Sequence, residues 1–255
     1  MKIAIIGYGK MGKMIEQIAR AAGHSITAIV DPAAPGASFR SIEEAESLGG
    51  ADVAIEFTQP ATAAANIISL AKKKIPAVAG TTGWHGQMNE VKQAVEDNQS
   101  SLIWSSNFSI GVNLFYRIAW YAAGLINKFP EYDAGGFEAH HNKKLDSPSG
   151  TAKTLAEGVL SRIERKKKVV WETMNRAPDP QELHFPSLRM GAVPGQHSLF
   201  FDSSADTIEI THTARSREGF ASGALAAAQW LISPAGKNRR QGVFTIDEML
   251  KDILE

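Results

Sequence analysis

Hydrophobic and polar positions alternate between two patterns along the first hundred residues. Short β-branched runs such as 2–6 (KIAII) and 52–57 (DVAIEF) are separated by segments whose apolar residues recur at helical spacing. Nearly continuous apolar runs are typical of strands buried on both faces of a parallel sheet. Strands that alternate with helices predict a doubly wound α/β fold, with ligands at the carboxyl ends of the strands.

The same patterns predict the other elements of this first region. Further strands are expected at 26–30, 76–80 and 101–104. Helices are expected at 13–23, 61–74 and 89–98, with a short one near 41–49.

The pattern changes after residue 108. A long apolar helix is predicted at 110–129, followed by strand-like runs at 133–141, 196–202 and 206–214. Antiparallel-type strands with long connections predict an open mixed sheet in a second, α+β domain. The proline-rich stretch 175–187 is expected to be a loop, and further helices are predicted at 147–163, 216–232 and 245–254, the last with a capping box.

Composition narrows the class of protein. Lys+Arg and Asp+Glu are both 27, so the formal net charge is zero, which argues against nucleic-acid and membrane-surface partners. There are no cysteines, which excludes disulfides and thiolate chemistry. No apolar stretch approaches the ~20 residues of a membrane span. A soluble, cytoplasmic protein is expected.

A glycine-rich turn follows the first predicted strand directly. Gly7, Gly9 and Gly12 fit the spacing G-x-G-x-x-G at the start of a helix, and Asp31 ends the next strand 19 positions later. The glycines allow a tight turn and a close approach of the backbone to a pyrophosphate, and the acid suits ribose hydroxyls. This combination predicts a nicotinamide or flavin dinucleotide site in a Rossmann domain. The alternative is a glycine-rich turn that binds nothing.

The segment 138–153 (EAHHNKKLDSPSGTAK) combines side chains that a surface loop has no folding reason to hold together. The His140 imidazole is a side chain suited to general acid–base catalysis, and the Lys144 ammonium can bind a carboxylate or donate a proton. Residues 149–151 lie in the first turn of the following predicted helix, where free N–H groups and hydroxyls suit an anion. The segment therefore predicts a substrate site for a carboxylate.

Two other interpretations of the paired histidines remain open. Adjacent residues on a strand point to opposite faces, so one of His140 and His141 can serve packing alone. A metal site formed by these two and Asp146 is less favoured, because adjacent histidines do not converge easily and no known metal-ligand spacing supports it. No metal is expected.

This segment closely resembles the signature E-x-H-H-x-x-K-x-D-A-P-S-G-T-A of the dihydrodipicolinate reductase family, the 4-hydroxy-tetrahydrodipicolinate reductases of lysine and diaminopimelate biosynthesis. Ser147 replaces the usual alanine, and Glu56 stands where the family usually has aspartate. Other segments resemble the family in its order along the whole chain: GYGKMGKM, AGTTG, SSNFSIGVN, LRMGAVPGQH and ITHTARSREGFASGAL.

The resemblance implies a Rossmann domain (1–108 with 215–255), a substrate-binding and oligomerisation domain (109–214), and a homotetramer. It also implies that NADH or NADPH reduces a small cyclic dicarboxylate with loss of water. His140 is then the general acid/base and Lys144 the proton donor, while His141, Ser149, Gly150 and Thr151 bind substrate. The residues expected to line the cofactor are Gly7, Tyr8, Gly9, Lys10, Met11, Gly12, Asp31, Gly80, Thr81, Thr82, Ser105, Ser106, Asn107 and Phe108.

The choice between the two cofactors depends on the end of the second strand. Asp31 would repel the 2′-phosphate of NADPH, and Pro32 follows it instead of an arginine, whereas Lys10 could partly neutralise a phosphate. NADH is expected to be preferred and NADPH tolerated. Two rival functions are another two-domain amino-acid or imine dehydrogenase and a non-catalytic NAD-binding sensor.

Overall fold

The computed structural model describes residues 1–235 and 238–255. The chain forms two compact units. The first unit combines Met1–Ile110 with Glu218–Glu255, and the second is Gly111–Arg217.

The N-terminal part of the first unit alternates strands and helices. Its elements are β1 (Lys2–Ile6), α1 (Lys10–Ala21), β2 (Ser25–Val30), β3 (Val53–Glu56), α2 (Pro60–Lys72), β4 (Ala77–Ala79), a short 3₁₀ helix (His85–Gln87), α3 (Met88–Asp97) and β5 (Ser101–Trp104).

The second unit is built on a mixed sheet. Its elements are α4 (Ile110–Ile126), β6 (Asp133–His140), α5 (Gly150–Leu160), β7 (Lys168–Val170), β8 (Glu182–His184), β9 (Ser187–Arg189), β10 (Gln196–Asp202) and β11 (Thr207–Thr213). The strand order is β11-β10-β6-β8-β7, and β9 also pairs with β6. Strand β10 pairs in antiparallel fashion with β6 and with β11. Strands β8 and β9 pair in parallel with β6, and β7 pairs in parallel with β8.

The C-terminal segment completes the first unit. It contains α6 (Glu218–Ile232), a small hairpin of β12 (Pro234–Ala235) and β13 (Asn238–Arg239), then β14 (Gly242–Thr245) and α7 (Ile246–Leu254). Strand β14 pairs in parallel with β5, so the sheet order is β14-β5-β4-β3-β1-β2. The predicted capping box at the start of α7 is confirmed, because Thr245 and Glu248 bond reciprocally.

The parallel sheet separates two apolar clusters, as a doubly wound fold requires. One cluster packs side chains of α2 and α3 against one face, and the other packs α1, α6 and α7 against the opposite face. A third cluster joins α4 and α5 to one face of the mixed sheet. The predicted fold class, a parallel α/β sheet plus a second unit with a mixed sheet, is confirmed. None of the helices in the described ranges is long and apolar enough to cross a membrane.

Two sequence predictions about local structure are wrong. The short helix near 41–49 is a series of turns, because Leu48, Gly49 and Gly50 all have positive φ, which no right-handed helix contains. The stretch 175–187 includes β8 and the start of β9 rather than loop alone. Strands β7, β8 and β9 have three residues each, too few for a period-2 pattern to be recognised.

Candidate active site

The glycine turn after β1 is shaped by close backbone packing. Gly7 has φ +90°, and a Cβ on it would overlap the carbonyl oxygen of Phe57 at the end of the neighbouring strand β3. Helix α1 begins at Lys10 after an N-cap glycine, Gly9, with no side-chain cap. This part of the chain therefore has the tight turn and uncapped helix start that a dinucleotide phosphate needs.

The carboxylate of Asp31 is fixed by backbone N–H groups. It accepts hydrogen bonds from Tyr8 at 2.8 Å, Ala33 at 2.9 Å and Ala34 at 2.7 Å. Partial burial raises the pKa of Asp31, but these bonds and the Arg40 guanidinium outweigh burial and hold the pKa below its ordinary value. Asp31 is therefore an ionised, oriented acceptor beside the glycine turn.

An arginine that sequence reasoning missed lies at the same place. Arg40 donates from Nη1 to the carbonyl oxygen of Pro32 at 3.0 Å. Pro32 occupies the position after Asp31, where an arginine would favour NADPH. Arg40, eight positions further along the chain, supplies a cation there instead. No pattern in the sequence indicated that Arg40 would contact Pro32.

The turns after β3 and β4 are joined through Glu56. The Thr58 N–H is shared between Oε1 of Glu56 at 3.0 Å and Oγ1 of Thr81 at 2.7 Å. A Cβ on Gly80 would overlap the Phe57 ring. Gly80 and Thr81, two residues predicted to line the cofactor, therefore contact Phe57 and Thr58. The sequence pattern predicted no role for Phe57 or Thr58. Thr82 is exposed beside them.

The turn after β5 is held by its own side chains. Ser105 Oγ donates to the carbonyl oxygen of Asn107 at 2.9 Å and accepts from its N–H at 3.0 Å. The Asn107 Oδ1 atom accepts from the Ser109 N–H at 2.9 Å. Ser106 is exposed, whereas Phe108 is buried in the apolar cluster, 6.5 Å from the Phe57 ring.

In the second unit, strand β6 ends with a histidine–carboxylate pair. Residues 138 and 140 lie on one face of the strand because side chains alternate. The Nδ1 atom of His140 lies 2.8 Å from Oε2 of Glu138, and both residues are buried. His141 is half-buried and follows directly after the strand.

Glu138 is the centre of a buried polar cluster. Its Oε1 atom accepts from Nη2 of Arg189 at 2.8 Å and from the Ser149 N–H at 3.1 Å. Burial raises the pKa of Glu138, but the contacts with His140, Ser149 and Arg189 outweigh it and hold the pKa well below its usual range. Glu138 is therefore ionised, and the His140 imidazole faces a carboxylate.

A second histidine that sequence reasoning missed completes this cluster. The Nε2 atom of His197, on β10, lies 3.2 Å from Oγ of Ser149 and 3.7 Å from Oε2 of Glu138. The rings of His197 and His140 meet edge to face with centroids 5.2 Å apart. Burial, assisted by the neighbouring His140, lowers the pKa of His197 to about 4, so this imidazole is neutral near pH 7.

The start of α5 adjoins the cluster. Ser149 is its N-cap, and its Oγ accepts from the Ala152 N–H at 3.1 Å. Gly150 and Thr151 form the first turn. The Lys144 Nζ atom lies 2.8 Å from Oδ1 of Asp146, and the Lys144 side chain is 22% exposed. The predicted residues 140, 144 and 149–151 thus fall in one unit, on β6, on the connecting turn and at the start of α5.

The metal alternative concerned His140, His141 and Asp146. Among the described residues, the group within ligating distance is a different one: Glu138, His140 and His197. Arg189 already neutralises the carboxylate of this group at 2.8 Å, which disfavours a divalent cation. The cluster is better described as a charged hydrogen-bonding network.

A chain that combines a parallel sheet and glycine turn in one unit with a histidine–carboxylate pair in another is typical of nicotinamide-dependent oxidoreductases. The chain belongs to the dihydrodipicolinate reductase family. The family's N-terminal model, "Dihydrodipicolinate reductase, N-terminus", matches residues 1–108, and its C-terminal model matches residues 111–250. The resemblance seen in the sequence is confirmed.

The names of similar proteins agree with this family assignment. The chain is 38% identical over 255 residues to 4-hydroxy-tetrahydrodipicolinate reductase of Christiangramia forsetii, covering 100% of both chains. It is 33% identical over 268 residues to the same enzyme of Chromobacterium violaceum, covering 97% of both. Family and relatives indicate an NAD(P)H-dependent reductase of lysine and diaminopimelate biosynthesis.

Solved structures support the fold. Dipicolinate-bound dihydrodipicolinate reductase from Paenisporosarcina sp. TG-14 matches with a TM-score of 0.77 at 22% identity, covering 96% of this chain and 97% of that one. Amine dehydrogenase from Mycobacterium smegmatis matches with a TM-score of 0.60 at 9% identity, covering 96% and 95%.

Proposed function

We propose that the chain uses NADH or NADPH to reduce (2S,4S)-4-hydroxy-2,3,4,5-tetrahydrodipicolinate to tetrahydrodipicolinate. One hydride and one proton are taken up and one water leaves. The observation that carries this proposal is the buried Glu138–His140 pair at 2.8 Å, which contacts the start of α5 through the Ser149 N–H. The substrate is a small dicarboxylate, and the family's solved relative is described as dipicolinate-bound.

We assign the acid–base role to His140. With Nδ1 2.8 Å from the ionised Glu138, the tautomer with a proton on Nδ1 is favoured, which leaves Nε2 to exchange protons with a ligand. Gly195 lies beside that nitrogen, and a Cβ there would come within 3.1 Å of it. A side chain at this position would crowd Nε2, so the glycine keeps that atom accessible.

Binding of the carboxylates is assigned to the turn after β6 and the start of α5. The Lys144 ammonium, paired with the 59% exposed Asp146, serves as proton donor and is close enough to the surface to reach a ligand. Gly150 and Thr151 offer N–H groups and a hydroxyl to a carboxylate. His141 is assigned a substrate contact.

The cofactor supplies the hydride when bound, and the first unit is proposed to hold it. The fit is supported by Gly7, where a Cβ would fill the space against Phe57, and by the oriented Asp31 carboxylate. The other residues proposed to line it are Tyr8, Gly9, Lys10, Met11, Gly12, Gly80, Thr81, Thr82, Ser105, Ser106, Asn107 and Phe108.

NADH is proposed as the preferred cofactor, with NADPH tolerated. Asp31 disfavours a 2′-phosphate, and Arg40, bonded to the Pro32 carbonyl, offers a compensating cation. Arg40→Ala should lower kcat/KM for NADPH about 10-fold and leave NADH within about 2-fold, since one charge-assisted contact contributes roughly this much. Lys72→Ala, an exposed cation in the same unit, is the matched control. Equal losses with both cofactors would contradict the role of Arg40.

A homotetramer formed through the second unit is also proposed. Ile118, Tyr121, Leu125 and Phe129 on and after α4, with Ile208 on the edge strand β11, are 43% to 72% exposed. Exposed apolar patches of this kind are characteristic of association surfaces. Light scattering coupled to size exclusion should give four times the mass of the chain, and a monomer would contradict the proposal.

The decisive test is a coupled assay in which the preceding synthase generates the labile substrate in place. Oxidation of NADH and of NADPH is followed for the wild type, His140→Gln and Lys144→Ala. Each variant should lose roughly 10²–10⁴ in kcat, the usual contribution of a positioned proton donor. His184→Gln and Lys153→Ala are the controls. Cofactor binding without turnover would favour a sensor, and turnover of another imine would favour the rival dehydrogenase.

A further inference from the structure

Glu56 is a buried carboxyl group at the edge of the sheet where the glycine turn begins. It is the last residue of β3, it pairs with Ile6 of β1 and Ala79 of β4, and it is 0% exposed. Gly7 and Gly80 follow those two partners directly. Glu56 therefore lies between the two turns to which the proposed cofactor site belongs.

Its hydrogen bonds run to both turns. Oε1 accepts from the Thr58 N–H at 3.0 Å, from the Thr58 hydroxyl, and from the Thr81 hydroxyl at 3.1 Å. Thr58 is in turn bonded by Asn66 from α2. One carboxyl oxygen thus joins the turn after β3 to the turn after β4.

The second oxygen is different. Oε2 is buried and has no hydrogen-bond partner among the described residues. An ionised carboxylate left in this position would be costly. Burial raises the pKa of Glu56, and the Thr58, Thr81 and Asn66 groups that face it only partly offset this. Among the described residues no cation contributes to that balance, so the pKa stays raised and the neutral acid is more favoured than in an exposed glutamate.

We propose that Glu56 is a positioning residue for cofactor binding, because it links Thr58 to Thr81 and so fixes the two turns beside Gly7. This inference rests on the proposed function, since it assumes that a nicotinamide dinucleotide binds at this edge. Glu56 itself touches neither substrate nor cofactor in this account. Its effect is transmitted through the two threonines.

The test compares three variants with the wild type. Glu56→Ala removes the link. Glu56→Gln retains a neutral acceptor of the same shape. Glu43→Gln changes another carboxyl group of the same unit, bonded to Ser69 at 2.7 Å, and is the control. For each protein, NADH affinity is measured by fluorescence and kcat and KM are measured for both substrates, with the melting temperature recorded.

Glu56→Ala should raise Kd and KM for NADH about 10-fold or more, the effect of losing two or three bonds that order a site. KM for the dicarboxylate should stay within about 2-fold. Glu56→Gln should recover most of the NADH affinity, to within about 3-fold of the wild type. A melting temperature lowered in Glu56→Ala with NADH affinity unchanged would overturn the proposal and leave Glu56 a folding residue.

A pH series adds a second readout. As Glu56 ionises, NADH affinity of the wild type should fall, because a negative charge appears beside the phosphate-binding turn. Glu56→Gln should lack that fall, and identical pH profiles would contradict the proposal. If the wild type binds no NADH at all, the proposed function fails. If it binds and Glu56→Ala binds equally well, only the positioning role fails.

Discussion

Glu56 and Glu138 are the same residue type, each 0% exposed and each on a strand of its own unit, yet their pKa values shift in opposite directions. Burial raises the pKa of both. At Glu138, Arg189, His140 and the Ser149 N–H reverse that effect. At Glu56, hydroxyls, an amide N–H and Asn66 do not.

The difference teaches that burial alone does not decide whether a carboxyl group is charged. Contacts with His140 and Ser149, together with the Arg189 cation at 2.8 Å, keep Glu138 ionised, which suits a residue that orients an imidazole. Neutral partners leave the pKa of Glu56 raised, so it carries less negative charge than an exposed glutamate, which suits a residue that joins two turns in the proposed cofactor site. The two units therefore use one side chain for two purposes.

The largest effect is expected for Glu138→Gln. Loss of the carboxylate leaves the Arg189 charge without its buried partner and His140 without the acceptor that selects its tautomer. The free energy of unfolding at neutral pH should fall by about 3 kcal/mol, and kcat should fall roughly 100-fold. Urea unfolding and the coupled assay measure both. Glu56→Gln should lose far less stability, and equal losses would remove the distinction between the two sites.

His197 gives the next largest effect. Its pKa falls from 6.5 to about 4 on folding, so the unfolded chain binds more protons within this window. Stability should therefore be full above pH 6.5 and decrease as the pH falls to about 4, by about 3 kcal/mol. Urea unfolding of His197→Gln should lack this loss, whereas His184→Gln should retain it. A loss of the same size in His197→Gln would show that other groups cause it.

The two glutamates should give opposite pH slopes. Glu138, with a lowered pKa, contributes stability that is present above its ordinary pKa of 4.5 and is lost as the pH falls through its folded pKa. Glu56, with a raised pKa, loses stability as the pH rises from 4.5 toward its folded pKa. The free energy of unfolding of Glu56→Gln should therefore increase relative to that of the wild type as the pH rises. A flat difference would mean that the pKa of Glu56 is the same in the folded and unfolded chain.

The smallest effect is expected at the exposed end of the Glu138 cluster. Lys144 and Asp146 form an ion pair at 2.8 Å, but Asp146 is 59% exposed. Asp146→Asn should change the free energy of unfolding by about 0.5 kcal/mol or less, because solvent screens such pairs. A loss of unfolding free energy as large as that of Glu138→Gln would show that the exposed Lys144–Asp146 pair also stabilises the fold.

Sequence patterns were sufficient for the elements with long or regular signals. The glycine turn, Asp31 and the apolar strands followed from spacing, and the capping box of α7 followed from Thr245 and Glu248. Strand β14 was missed because its four residues carry only a weak pattern beside the polar run that precedes them.

The candidate site was predicted only where its residues are neighbours in sequence. His140, Lys144 and Ser149 lie within one segment, whereas His197 is 57 positions beyond His140 and meets it through the pairing of β10 with β6. Arg189 reaches Glu138 through β9 in the same way. The segment LRMGAVPGQH contains both residues and was noted for its resemblance, but nothing in its composition indicated which side chains turn inward.

The interrupted first unit has a consequence for synthesis on the ribosome. Ile3, Ile5 and Ile55 pack under α6 and α7, which are translated only after the whole second unit. At rates of 5–20 residues per second, roughly 5–20 s separate Ile110 from Glu218. During that interval α1 alone covers this apolar side of the nascent parallel sheet, and the part that packs against α6 and α7 stays exposed. The second unit can complete its own core first, so the nucleotide-binding half of the chain is the one exposed to chaperones during translation.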